Sequence, residues 1–237
     1  MRIVAISDSH GTHRGISLPP GDVLVFAGDI TLKGEQHVIA DFVEWLAAQP
    51  FKHKVFIAGN HDHWPEQKPE KMHELADSAG VHYLSAEGAT LDGIRFWGSP
   101  YTPEFMHWSF MLPPGSAVVE HWQQMPANTD VLITHGPPFG VLDTVVKPGK
   151  SLQQSGNQVG CPELLQRVRQ NEVKVHIFGH IHEGYGQMNI EETRFFNVSQ
   201  LDNRYQMTNQ PVVIDVEVSP KAESTTETVS EETTDPF

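Results

Sequence analysis

The segment Arg2-Ile3-Val4-Ala5-Ile6-Ser7-Asp8-Ser9-His10 sets the pattern of the whole chain. A short apolar run predicts a buried strand, and acidic and imidazole side chains follow where the run ends. The same order returns after the apolar runs 22–27, 54–58, 130–134 and 173–178, which lead into Gly28-Asp29, Gly59-Asn60-His61-Asp62, His135-Gly136 and Gly179-His180-Ile181-His182. Loops at the carboxyl ends of strands are where α/β folds build their sites, so we expect these side chains to form one site.

Helical segments alternate with these strands. The apolar spacing predicts helices over 36–48, 69–79, 118–125 and 162–170, and Gly80 suits the end of the second of these. The later runs 187–190, 193–198 and 211–218 are typical of strands of a second sheet. The alternation therefore predicts an α/β fold in which two sheets form a β-sandwich flanked by helices.

Composition limits the classes of function. The 237 residues, 38% of them hydrophobic, suit one domain, which we place at 1–218, and the Ser/Thr/Glu-rich segment 219–237 predicts a disordered acidic tail. Sixteen basic against thirty acidic residues give a net charge of −14, which disfavours stable nucleic-acid binding. No apolar run is long enough to cross a membrane, and Cys161 is the only cysteine, which excludes an intramolecular disulfide. We expect a soluble, cytoplasmic protein of undetermined oligomeric state.

The chemistry of the five polar segments points to metal ions. None of the segments decides the matter alone, because a single Asp-x-His or Gly-Asp is common in other roles. Together they supply carboxylate, amide and imidazole donors without sulfur, a set that suits Mn²⁺, Fe or Zn²⁺. Bound divalent ions would also let so acidic a chain bind an anionic substrate.

These five segments resemble the signature of the calcineurin-like metallophosphoesterases: D-x-H, GD, GNH[D/E], a lone His after a strand, and GH-x-H. A narrower resemblance, to the metallophosphoesterase domain-containing proteins, rests on Ile57–His61, Thr134–Pro138, Val159–Leu165 and Gly179–Gly186. The resemblance implies two divalent metal ions, with Mn²⁺ favoured and Fe or Zn²⁺ as alternatives.

The resemblance also implies a role for each matching residue. Asp8, His10 and His182 would hold the first metal. Asn60, His135 and His180 would hold the second, and Asp29 would bridge both. His61 and its neighbour Asn60 are the implied catalytic residues, and His61 would not bind metal but would face the phosphate. Next to it, Asp62 either orients His61 or is a surface carboxylate. Trp64 could stack on a base, but a packing role is favoured.

The implied activity is that of a phosphodiesterase that hydrolyses small phosphodiesters, such as cyclic nucleotides, through a metal-bridging hydroxide. One alternative is a phosphomonoesterase for nucleotides or other small phosphates, because the same centre serves both reactions. An alternative of another class is a nucleotide-binding regulatory protein with weak catalysis. The loop 100–114 is expected to influence which small phosphate ester or nucleotide is bound.

Overall fold

Two sheets dominate the computed structural model, which describes residues 1–146 and 156–217. The first sheet contains β1 (Arg2–Ile6), β2 (Val23–Ala27), β3 (His53–Ile57), β4 (His82–Tyr83) and β15 (Val212–Asp215), in the spatial order β15-β1-β2-β3-β4. The second contains β5 (Glu87–Leu91), β6 (Ile94–Ser99), β9 (Val131–Thr134), β12 (Val175–Phe178), β13 (Gly186–Ile190) and β14 (Thr193–Asn197), in the order β13-β14-β12-β9-β6-β5.

Helices cover the outer faces of the sheets. They are α1 (Gln36–Ala47), α2 (His63–Gln67), α3 (Pro69–Ala79), α4 (Ser116–Gln123) and α5 (Pro162–Gln170), with short 3₁₀ turns at His13–Gly15 and His182–Gly184. Two small strand pairs complete the described elements: β7 (Thr102–Pro103) with β8 (Met111–Leu112), and β10 (Thr144–Val145) with β11 (Asn157–Gln158). Pro69 opens α3 where its missing N–H costs nothing, and Gly80 ends it in the left-handed conformation at φ 68°.

The strands build the core by alternating their side chains. Ile3 and Ala5 of β1 face the space between the two sheets, whereas Val4 and Ile6 face the layer of α1 and α3. A third apolar cluster lies between the second sheet and the helices α4 and α5. The layers are therefore helix, sheet, sheet, helix, as the sequence predicts.

The strand directions place the functional segments at one edge. β1, β2 and β3 run parallel in one sheet, and β9 and β12 run parallel in the other. A bridge between Ser7 and Ser199 joins the ends of β1 and β14, and so links the two sheets at that edge. All five segments that follow these strands are consequently brought to one place.

One strand assignment was wrong. Residues 211–218 were expected in the second sheet, but β15 pairs antiparallel with β1 and forms the edge of the first sheet. There Ile214 faces the core between the sheets, and Asp215 accepts hydrogen bonds from Arg2. The predicted tail 219–237 lies outside the described residues. Within 1–146 and 156–217, no helix combines the length and apolar character that a membrane span needs.

Candidate metal centre

The polar segments converge on a common space where metal ions could bind. Among the described residues, three overlapping groups of side chains present possible ligand atoms that all lie within 4.8 Å of one another. The groups are Asp8, His10 and His182; Asp29, His135 and His180; and His10, Asp29 and His61. The first two groups contain the residues that the resemblance assigns as ligands of the two metals, apart from Asn60. Asn60 is not in a group because the groups consist only of histidine, cysteine, aspartate and glutamate side chains.

Four imidazoles are held in the same way. The Nδ1 atoms of His10, His61, His135 and His182 lie 2.8–3.0 Å from the backbone oxygens of Thr31, Leu32, Ala27 and Asp202. A histidine that donates Nδ1–H to a carbonyl turns its Nε2 lone pair away from that carbonyl, which is the usual arrangement of a metal-binding imidazole. The backbone thus fixes the ring orientation that metal binding requires.

Asp29 lies between the two groups. One carboxylate oxygen, Oδ2, is 3.7 Å from His10 Nε2, and the other, Oδ1, is 3.3 Å from His135 Nε2. Oδ1 also accepts a hydrogen bond from the backbone N–H of His61. A carboxylate whose two oxygens face two different clusters is suited to bridge two ions.

An unpartnered buried atom indicates that the site fits a cation. His10 Nε2, which is a lone-pair atom when Nδ1 carries the proton, is buried with no hydrogen-bond partner among the described residues, although such atoms normally have one. Asn60 Oδ1 is 2.8 Å from His135 Nε2, so this amide oxygen faces the second group. His180 completes that group, with its ring centroid 4.9 Å from that of His135.

The electrostatics of the protein atoms lead to the same conclusion. Burial alone would lower the pKa of His135, but the charge of Asp29 raises it to about 9. Burial likewise opposes the rise at His182, where Asp8 raises the pKa to about 9. The two carboxylates therefore attract positive charge, which divalent ions would supply while the imidazoles lose their protons. Burial lowers the pKa of His180 to about 4, so this ring is already neutral, as a ligand must be.

Several of the candidate ligands have a strained backbone, although eight other non-glycine residues in the described part of the chain also have positive φ. Asp8, His10, Asp29 and His180 have φ values of 52°, 42°, 58° and 69°. This left-handed region is uncommon for residues other than glycine, and strained conformations of this kind cluster at functional sites. Strain thus coincides with four of the seven predicted ligands.

The environment of Asp8 was not predicted from the sequence. Ser7 and Ser199 both donate hydrogen bonds to its Oδ2, and the backbone N–H of His180 donates to the same carboxylate. Asp8 Oδ1 also accepts from the backbone N–H of His180, at 3.0 Å, and lies 3.5 Å from His182 Nε2. Ser199 follows β14, which is remote from Asp8 in the sequence, so no local pattern could reveal the pairing.

Asp62 serves neither of its expected roles. It is fully buried and does not bind the ring of His61, which is oriented by Leu32 instead. Its carboxylate accepts hydrogen bonds from the backbone N–H groups of Ile30, Thr31 and Gly59 at 2.8–3.0 Å. Asp62 therefore ties the segment after β2 to the segment after β3, each of which carries candidate ligands.

Trp64 has the packing role that the sequence favoured over stacking. Trp64 packs against the core between the first sheet and its helices and does not line the cavity beside the candidate ligands. That cavity, of about 500 Å³, is lined instead by Phe105 and Trp108 of the loop between β7 and β8, and by Tyr205. The 100–114 loop thus borders the site, as expected.

A two-sheet α/β sandwich with carboxylate, amide and imidazole side chains at one edge is the architecture of the metallophosphoesterases. A family model described as calcineurin-like phosphoesterase matches residues 1–184. The human metallophosphoesterase domain-containing protein 1 is 39% identical over 237 aligned residues, which cover 91% of this chain and 71% of that protein. A UPF0046 protein of Caenorhabditis elegans is 34% identical, with 90% and 74% covered.

Solved structures show the same fold. The protein TT1561 of Thermus thermophilus superposes with a TM-score of 0.55 at 14% identity, covering 86% of this chain and 94% of that one. The chain belongs to the calcineurin-like phosphoesterase family. This family binds divalent metals and hydrolyses phosphoesters, and the candidate clusters described above are compatible with that chemistry.

Proposed function

We propose that this protein is a dinuclear metal-dependent phosphodiesterase acting on small phosphodiesters, with cyclic nucleotides as the leading class and Mn²⁺ as the leading metal. The observation that carries the proposal is the convergence of five strand ends on two ligand groups, with Asp29 in one group and 3.7 Å from His10 of the other. Asp8, His10 and His182 are the proposed ligands of one ion. Asn60, His135 and His180 are those of the other.

Divalent ions bound there would supply positive charge to the phosphate oxygens and lower the pKa of an attacking water. The protein contributes the orientation of several ligands. Backbone carbonyls fix the rings of His10, His135 and His182, and Asp62 ties together the two ligand-bearing segments after β2 and β3. Such preorganisation is what allows electrostatic stabilisation without rearrangement during the reaction.

His61 is the proposed catalytic acid. Its ring lines the cavity, and because Nδ1 is committed to the carbonyl of Leu32, Nε2 is the atom available to a substrate. In the imidazolium form, Nε2–H can donate to a phosphate oxygen or protonate the leaving alkoxide. His61 also belongs to a possible ligand group with His10 and Asp29, so its role must be separated experimentally from metal binding.

The test is hydrolysis of a matched panel by Mn²⁺-loaded protein: bis-p-nitrophenyl phosphate, p-nitrophenyl phosphate, and 2′,3′- and 3′,5′-cyclic nucleotides. We expect the diesters to be preferred, and Asp29→Asn to abolish turnover and reduce bound metal. Asp77→Asn, which changes an exposed carboxylate on α3, is the matched control and should behave as the unchanged protein.

Three other outcomes would redirect the proposal. A preference for the monoester would assign the same centre to a phosphomonoesterase. Binding of nucleotides with two metals present and no turnover would indicate a regulatory protein. Wild-type metal content in the Asp29→Asn variant would contradict the bridging role.

A further inference from the structure

The cavity beside the candidate metal centre has walls of two kinds. One part is formed by candidate ligands and His61, and another by large aromatic side chains, of which Phe105 and Tyr205 are 63% and 50% exposed. Exposed aromatic rings beside a polar site are typical of ligand recognition, because soluble proteins otherwise bury such surface.

Trp108 borders the catalytic side of the cavity. Its ring centroid lies 5.0 Å from that of His61, and Phe105 supports it in a T-shaped contact at 5.9 Å. The loop that carries Trp108 is fastened to the ligand-bearing segment, since the backbone N–H of Ser109 donates to the carbonyl of Asn60. The Ser109 hydroxyl also lies 2.6 Å from His63 Nδ1. These contacts on either side of His61 fix the position of Trp108 relative to the His61 ring.

Tyr205 borders the opposite side. Its ring centroid is 5.0 Å from that of His10 and 5.2 Å from that of His182. Its loop is anchored to the same centre, because the carbonyl of Asp202 is the partner of His182 Nδ1. Tyr205 adopts φ 57° and lies beyond the residues matched by the family model, so the family signature assigns it no role.

The two aromatic side chains flank the His10–His61 pair, whose ring centroids are 4.8 Å apart. We propose that Trp108 and Tyr205 form an aromatic clamp that binds a planar ring in the organic part of the phosphoester. The proposal rests on the phosphoesterase function argued above and adds the determinants of substrate choice. A phosphate at the candidate centre would place the groups attached to it between these two side chains.

The clamp is tested with esters that share one leaving group. p-Nitrophenyl phenyl phosphate and p-nitrophenyl ethyl phosphate both release p-nitrophenolate and differ in the remaining ester group, which is a planar ring in the first and an ethyl chain in the second. We expect kcat/KM to favour the phenyl ester by about tenfold, as stacking on one aromatic side chain would give. The preference should fall towards the intrinsic reactivity ratio in Trp108→Ala and Tyr205→Ala, and persist in the ring-retaining variants Trp108→Phe and Tyr205→Phe.

A second measurement does not depend on turnover. Phenylphosphonate and ethylphosphonate cannot be hydrolysed, and their affinities for the Mn²⁺-loaded protein can be compared by calorimetry in the same variants. We expect about tenfold tighter binding of the phenyl compound, lost in the two alanine variants.

The outcomes separate the two proposals. If no ester is hydrolysed but the phosphonate preference follows the aromatic residues, the clamp stands and the proposed catalysis fails. If esters are hydrolysed while the phenyl preference is absent, or is unchanged in both alanine variants, the clamp is refuted and the phosphodiesterase function remains.

Discussion

Gly59→Ala should disable the candidate metal centre through a single methyl group. Gly59 immediately precedes Asn60, and a Cβ built there would lie 2.8 Å from His135 Cε1, where 3.4 Å begins ordinary contact, a deficit of 0.6 Å. It would come closer still to Asp29, touching both Oδ1 and the backbone nitrogen. The backbone nitrogen cannot rotate aside as the end of a flexible side chain can, so the Asp29 and Asn60 segments must move apart.

The required displacement sets the magnitude. Overpacking of this kind costs about 1–3 kcal/mol of stability, so the domain should still fold. Metal ligands tolerate shifts of about 0.2 Å, and a misplacement near 1 Å costs roughly 100-fold in rate. We therefore expect at least one metal per chain to be lost and kcat/KM to fall about 100-fold or more.

The assay is metal content by mass spectrometry together with thermal unfolding and hydrolysis of bis-p-nitrophenyl phosphate. Gly15→Ala is the matched control, because the added methyl would meet only the flexible end of Met207, at 3.5 Å. Two metals per chain and unimpaired turnover in a folded Gly59→Ala protein would refute the inference that this close approach positions the site.

Three further predictions concern histidines. His61→Ala should lower kcat by about 100-fold or more while two metals remain bound. His37→Ala, which changes an exposed histidine on α1, should alter neither kcat nor metal content. Loss of metal in His61→Ala would make His61 a ligand. Burial lowers the pKa of His176 to about 3, whereas a histidine in an unfolded chain has a pKa of about 6.5. Below pH 6.5 the unfolded chain therefore binds a proton that the folded protein does not. The free energy of unfolding consequently decreases as pH falls from 6.5 towards 3. Other buried histidines with a lowered pKa, such as His180, lose stability in the same range, so the test is a difference. Urea unfolding of metal-free protein should show a pH dependence about 1.4 kcal/mol per pH unit steeper than that of His176→Gln, and equal pH dependence in both proteins would exclude His176 as a cause. In the metal-free protein, His180→Gly should be about 1 kcal/mol more stable than His180→Ala. Residue 180 has φ 69°, a backbone conformation that is strained for alanine but not for glycine. Equal denaturation midpoints of the two variants would argue against strain at this position.

The fold was predictable where local patterns decide it. The bounds of α3 and α5 follow from the sequence because Pro69 and Pro162 open the helices, and because apolar spacing runs up to their ends. The place of β15 was not predictable, because its alternating residues suit either sheet. Its pairing with β1 is a long-range contact between the two ends of the described domain, and no local sequence pattern specifies it.

In the candidate site, too, some residues could be predicted from local sequence patterns and others could not. Its proposed ligands could be predicted because each directly follows a strand, and parallel strands bring their carboxyl ends together. The residues that hold those ligands could not, since Asp62 acts on backbone groups about 30 positions earlier in the sequence and Ser199 reaches Asp8 across the two sheets. Trp108 and Tyr205 lie on loops whose paths depend on hydrogen bonds to Asn60 and from His182.

The strained backbone explains why so many of these supporting contacts exist. Asp8, His10, Asp29 and His180 each adopt a left-handed conformation, at a cost of about 1–3 kcal/mol per residue. Four such residues together cost an amount comparable with the roughly 5–15 kcal/mol that stabilises a typical domain. The conformation can persist only if the surrounding hydrogen bonds determine it, and Asp62 supplies three of them next to Asp29. Binding of divalent cations between the two anionic carboxylates and the surrounding imidazoles would offset part of this strain. We therefore infer that the conformation of the site is adapted to the metal-bound state.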